Sequence, residues 1–125
     1  MKSYTDIEQS KKLAEILPIE SADMHYERAY FEGKQSDWFI ALGRPIKSDD
    51  IIPCWSLAAL LNVLPKIYYP VKDHPTYLIL GEPKDKWCAL YWDITGMQHG
   101  EQTLADNPVD ACVEMVLKLH ELKYL

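Results

Sequence analysis

The chain has 125 residues, 48% of them hydrophobic and 26% charged, with 13 Lys+Arg against 19 Asp+Glu and a formal charge of −6. A chain of that size and composition is expected to fold as one domain around its own core, which excludes disorder and any need for a disulfide or metal staple. The acidic excess is spread along the chain and repels a phosphate backbone, so nucleic acid is not an expected partner.

At the amino terminus, Met1-Lys2-Ser3-Tyr4-Thr5-Asp6 puts no apolar segment behind its lysine, and no secretory signal is expected. The longest uncharged stretch, 51–65, contains Pro53, Ser56 and Asn62 and falls short of the roughly 20 apolar residues of a membrane helix. Cys54, Cys88 and Cys112 are odd in number and lack C-x-x-C spacing, which points to reduced thiols in a cytoplasm.

The first predicted element is a helix over 6–17. Thr5 and Glu8 supply a T-x-x-E capping box, Ile7, Leu13, Ala14 and Leu17 an apolar stripe, and Pro18 the stop. A hairpin follows, with strands over 25–31 and 38–42 and a turn over 33–37, then a polar loop over 43–50. Residues 55–64 read as a second helix, ended by Pro65. It carries no charge on any side and is therefore expected to be enclosed.

A second hairpin joins 76–80 to 86–92 through 81–85. Along its second strand Trp87, Ala89 and Tyr91 alternate with Cys88, Leu90 and Trp92, which makes both faces apolar. The last helix, about 108–122, has Asn107 as its cap, Pro108 in the first position and Asp110 in the first turn. Val109, Cys112, Val116 and Leu119 form the side that packs on a sheet. Leu13-Ala14-Glu15-Ile16-Leu17-Pro18 is echoed by Leu60-Leu61-Asn62-Val63-Leu64-Pro65, each before a hairpin. Two copies fall short of a repeat array, and helices commonly stop at proline.

Candidate chemistry is sparse. Cys54 stands near a helix start, where free N–H groups favour a thiolate, but no spacing selects His25, His74, His99 or His120 as its base. The polar 93–101 stretch reads as a loop in which Asp93, His99 and Glu101 would have to converge on a metal without a second ligand at suitable spacing. Asp49-Asp50 and Asp73-His74 read as surface pairs, and His120 as a half-buried imidazole at the border of its helix's apolar side. No phosphate-binding glycine loop, H-E-x-x-H or G-x-S-x-G occurs, so no cofactor, metal or catalytic residue is assigned.

The aromatic inventory says more. Four Trp and eight Tyr stand against two Phe, and Trp and Tyr suit surfaces that are buried against a partner. Trp38, Trp55, Trp87, Tyr91 and Trp92 are the candidate interaction residues.

The segments Gln9-Ser10-Lys11-Lys12-Leu13, Ser21-Ala22-Asp23-Met24, Trp55-Ser56-Leu57-Ala58-Ala59-Leu60-Leu61 with Leu64-Pro65, and Asn107-Pro108-Val109-Asp110-Ala111-Cys112 span nearly the whole chain. In these the chain resembles a family of small, uncharacterised proteins carried by phages, prophages and other mobile elements of gut anaerobic bacteria. The resemblance implies a bacterial cytoplasm and an accessory role, and it carries over no activity, cofactor or catalytic residue.

The expected fold is a single α+β domain over 1–125, with two hairpins in a mostly antiparallel sheet and three helices, the C-terminal one packed on the sheet. The expected function is a non-enzymatic interaction protein that self-associates or docks on another protein, away from membranes and nucleic acid. The alternative is small-molecule binding or hydrolysis by the 93–101 loop with Cys54 or His74. A third reading, an acidic protein that blocks another protein's nucleic-acid site, has only the −6 charge behind it.

Overall fold

The first helix starts later than the T-x-x-E pattern implies. In the computed structural model, which describes residues 1–93 and 99–125, α1 (Ile7–Ala14) is capped by Asp6 rather than Thr5. The Asp6 carboxylate accepts from the Gln9 N–H at 2.8 Å, and the Gln9 side chain accepts from the Asp6 N–H at 3.0 Å. Thr5 is withdrawn from capping because its hydroxyl is needed elsewhere. It sits 2.8 Å from the Ser10 hydroxyl and accepts from the Trp55 N–H at 3.1 Å, all out of solvent.

The described residues divide into two compact units, 3–59 and 60–125 together with 1–2. Each carries its own antiparallel sheet. In residues 3–59, β1 (Met24–Glu27) lies between β4 (Phe39–Ala41) and β5 (Ile51–Cys54). The first hairpin thus forms between shorter strands than expected. Its middle is a separate ribbon of β2 (Tyr30–Phe31) and β3 (Lys34–Gln35), turned by Glu32 and Gly33 at φ 50° and 77°. Two successive positive φ values match the right-handed twist of a tight hairpin, which moves the turn forward from 33–37. Met24, Tyr26, Ile52 and Cys54 form the core, with Tyr4, Ile7, Trp38 and Ile40 packed against it. Strand β5 occupies the end of what reads as a polar loop and the start of an apolar run. Its Pro53 is tolerated because β5 is an edge strand.

Helix α2 (Leu57–Val63) is shorter than the 55–64 expected. Trp55 and Ser56 stay extended: Thr5 N–H donates to the Trp55 carbonyl at 3.0 Å, and Tyr4 bridges Ser56. Ser56 opens the helix by accepting from the Ala59 N–H at 3.2 Å. Ala58 and Asn62 are exposed, so small and amide side chains rather than complete enclosure explain the absence of charge on this helix.

In residues 60–125 the sheet is a four-stranded meander: β6 (Ile67–Val71), β7 (His74–Gly81), β8 (Trp87–Asp93) and β9 (His99–Ala105). The hairpin expected over 76–92 is its centre, extended on each side by a strand. Residues 99–101, expected in a loop, belong to β9. The two hairpins lie in different sheets. Helix α3 (Pro108–Glu121) packs on this sheet, with Asn107 accepting from the Asp110 N–H at 2.8 Å and Pro108 in the first turn. Its buried side is wider than expected, since Ala111, Val113 and Met115 join Val109, Cys112, Val116 and Leu119. The architecture is α+β, with the C-terminal helix packed on a sheet.

Candidate functional site

Register in the meander sorts its side chains into two faces. Tyr68, Thr76, Ala89, Tyr91 and Asp93 point inward and are buried. Tyr91 is fully covered. Its hydroxyl donates to the Pro65 carbonyl at 2.6 Å, and its ring meets Tyr68 edge-on at 4.5 Å. Burial, followed by the nearby Tyr68 and Cys112, raises its phenol well above the ordinary range. Burial alone pushes the Cys112 thiol to about 11.

The outer face is arranged in three rows across the strands. Ile67, Tyr77 and Trp92 make the first, Ile79, Leu90 and Gln102 the second, and Gly81, Cys88 and Leu104 the third. None of the residues named in these rows carries a charge; His99, which pairs with Trp92, continues the first row on β9, and its side chain lies outside the described residues. The exposed Tyr69 follows Ile67 along β6, and beyond it a bulge breaks the alternation, so that Val71 pairs with His74 on the side of Thr76. Among its exposed large apolar members, exposure runs from 38% at Trp92 to 58% at Leu104, while Leu90 is half-buried and Cys88 buried.

The five aromatic candidates scatter. Trp92 is on the outer face, and Trp38 and Trp87 are half-buried. Trp38 lies under the Arg28 guanidinium, whose carbon is 4.5 Å from the ring centroid and whose Nε pairs with Asp50 at 3.2 Å. Trp55 and Tyr91 are sealed and drop out as surface residues. Trp55 donates its indole N–H to the Ser21 hydroxyl at 2.9 Å, a buried handle satisfied within the chain. Composition did not separate the exposed Trp92 from the sealed Trp55 and Tyr91, because it scored ring type rather than position on a face. The signal available was alternation along 67–71 and 76–80, where Ile67, Tyr69, Tyr77 and Ile79 fall on one side.

Cys54 does not have a nucleophile's surroundings. It is fully buried in the knot of Thr5, Ser10 and Tyr26, donating to the Thr5 carbonyl at 3.4 Å. Burial raises its thiol above the usual range, although hydrogen bonds from Thr5 and Ser10 oppose that. A reactive cysteine needs the opposite environment, exposed and electropositive. His25 points its Nδ1 to the Gly43 carbonyl at 2.7 Å. His120 is exposed rather than half-buried, 3.1 Å from the Leu125 carbonyl.

His74 and Asp93 do come together at one end of the meander, with Nδ1 4.0 Å from a carboxylate oxygen. Asp93 is buried and His74 mostly exposed. His99 pairs through its backbone with Trp92, and its side chain and residues 94–98 of the proposed loop site lie outside the described residues. Glu101 is engaged by Lys118 at 3.2 Å. Among the described residues no three His, Cys, Asp or Glu gather where they would hold a metal, and no helix is long and apolar enough to cross a membrane.

Residues 3–59 hold a groove of about 310 Å³ lined by Ala14, Leu17, Ile19, Ile46, Ile51 and Pro53 together with Lys47 and Ser48. Its lining is mostly aliphatic, with Lys47 and Ser48, two neighbours in sequence, as its polar side chains. No family model, curated protein or solved structure matches the chain.

Proposed function

We propose that this is a non-enzymatic interaction protein that docks through the outer face of the β6–β9 sheet, in an accessory role within a phage or mobile element. The observation that carries the docking is the charge-free run of Ile67, Tyr69, Tyr77, Ile79, Trp92 and Leu104, all left open to water. Monomers rarely leave so much contiguous apolar surface exposed unless something covers it. Tyr69, Tyr77 and Trp92 on it are of the residue types that anchor interfaces. The mobile-element context is supported by the sequence resemblance alone.

The test compares the wild-type chain with Ile79→Lys as bait in bacterial cells, after in-cell cross-linking. A protein or second bait copy joined to the wild type and lost from the variant is the expected result. Identical cross-linked products from both, with the variant folded, would remove the reading. The hydrolytic alternative is not favoured, because its thiol is sealed.

A further inference from the structure

The outer face is graded in size along the strands. At one end β7 and β8 present Tyr77 opposite Trp92, in the middle Ile79 opposite Leu90, and at the other end Gly81 opposite Cys88. A β-carbon built on Gly81 meets nothing within 4 Å, and a hollow of about 450 Å³ opens beside Leu104 against the turn residues Pro83, Lys84, Asp85 and Lys86. The face is thus thick at the Tyr77–Trp92 end and thin at the Gly81–Cys88 end, where Cys88 is already covered within its own chain at 7% exposure and the open space lies over Gly81.

Such a wedge complements itself. A two-fold axis lying in the interface along the Ile79–Leu90 row reverses the strand direction of a second chain and keeps its strand order. Tyr77 of one copy then faces Gly81 of the other, and Trp92 faces Cys88, each contact occurring twice as an isologous interface requires. Thick ends meet thin ends, which maintains the roughly 10 Å spacing of packed sheets across the contact.

We infer that the occupant of this face is a second copy of the same chain, in a face-to-face sheet dimer centred on Ile79 and Leu90. One further observation fits a second copy. The exposed large apolar side chains offer on the order of 700 Å² per chain, near the roughly 800 Å² per partner of a standard stable interface.

The inference rests on the interaction reading above and narrows it to one partner. Sedimentation velocity across micromolar concentrations, on wild type, Ile79→Lys and Gly81→Tyr, tests it. Gly81→Tyr is the sharper variant. Its φ is not in the left-handed region and its side chain has open space, so the single chain accepts it while the recess is filled.

The expected result is a wild-type dimer whose dissociation constant rises about thirtyfold or more in each variant, with unchanged circular dichroism. A dimer that persists in Gly81→Tyr overturns the packing. A strictly monomeric wild type overturns the second copy. If Ile79→Lys then still removes a different cross-linked partner, the interaction reading stands without the dimer, and if it removes none, both fall.

Discussion

A β-carbon on Gly100 would lie 2.9 Å from both Cε1 and Cζ of Tyr68, so only glycine lets the Tyr68 ring cross that part of β9. The Tyr68 hydroxyl accepts from the Glu101 N–H at 2.9 Å, and its ring is edge-on to Tyr91 and to Tyr124. Tyr68 sits on β6 and Glu101 on β9, the two edge strands of the meander. One side chain therefore joins the opposite edges of the sheet beneath its inner face.

Gly100→Ala is expected to lower stability by about 1–3 kcal/mol through overpacking against that ring. Urea denaturation measures it. In a Tyr68→Ala background the same substitution should cost much less, and equal costs in both backgrounds would disprove the contact.

Asp23 accepts from the Ser56 N–H at 3.0 Å and from its hydroxyl, while that hydroxyl accepts from the Ala59 N–H. Ser56→Ala removes the cap of α2 and should cost about 0.5–2 kcal/mol. Asp23→Ala leaves both Ser56 donors without their acceptor and should cost at least as much. Thermal melts followed by circular dichroism give the order.

The three thiols should react slowly in the native state. Cys54, Cys88 and Cys112 are buried, and burial raises each pKa. Labelling with an aromatic disulfide at pH 8 should track unfolding and accelerate in denaturant. Rapid native labelling of Cys54 would revive the nucleophile reading.

Stability should fall in alkali. Each of these thiols stays protonated in the folded chain past the pH at which it ionises in the unfolded one, so the unfolded state binds fewer protons there. The contribution is complete below about pH 9, the ordinary thiol value, and for Cys112 it is lost as pH rises toward about 11. The raised phenols of Tyr26, Tyr68 and Tyr91, each dominated by burial, act with the same sign at higher pH. Cys112→Ala should flatten the slope between pH 9 and 11, by about 2–3 kcal/mol over that span. Unfolding free energy measured against pH checks this.

Local chemistry by itself determined α3 and the central hairpin. Asn107-Pro108 marks a helix start wherever the helix packs, and alternation through 76–92 defines strands around a Gly-Glu-Pro turn. The outer strands were hidden because β5 and β6 contain Pro53 and Pro70, residues admitted at sheet edges, and because β9 begins with the polar His99-Gly100-Glu101-Gln102-Thr103. The slip from Thr5 to Asp6 was hidden too, since the Thr5 hydroxyl is claimed by Ser10 and by Trp55, fifty positions away. The helix echo leads into sheets of different strand order, β4-β1-β5 and β6-β7-β8-β9. Alternation along β8 reveals two apolar faces without ranking them. Tertiary structure ranked them, because α3 covers one face, burying Tyr91 and leaving Trp92 in water, and where a helix docks depends on contacts distant in sequence.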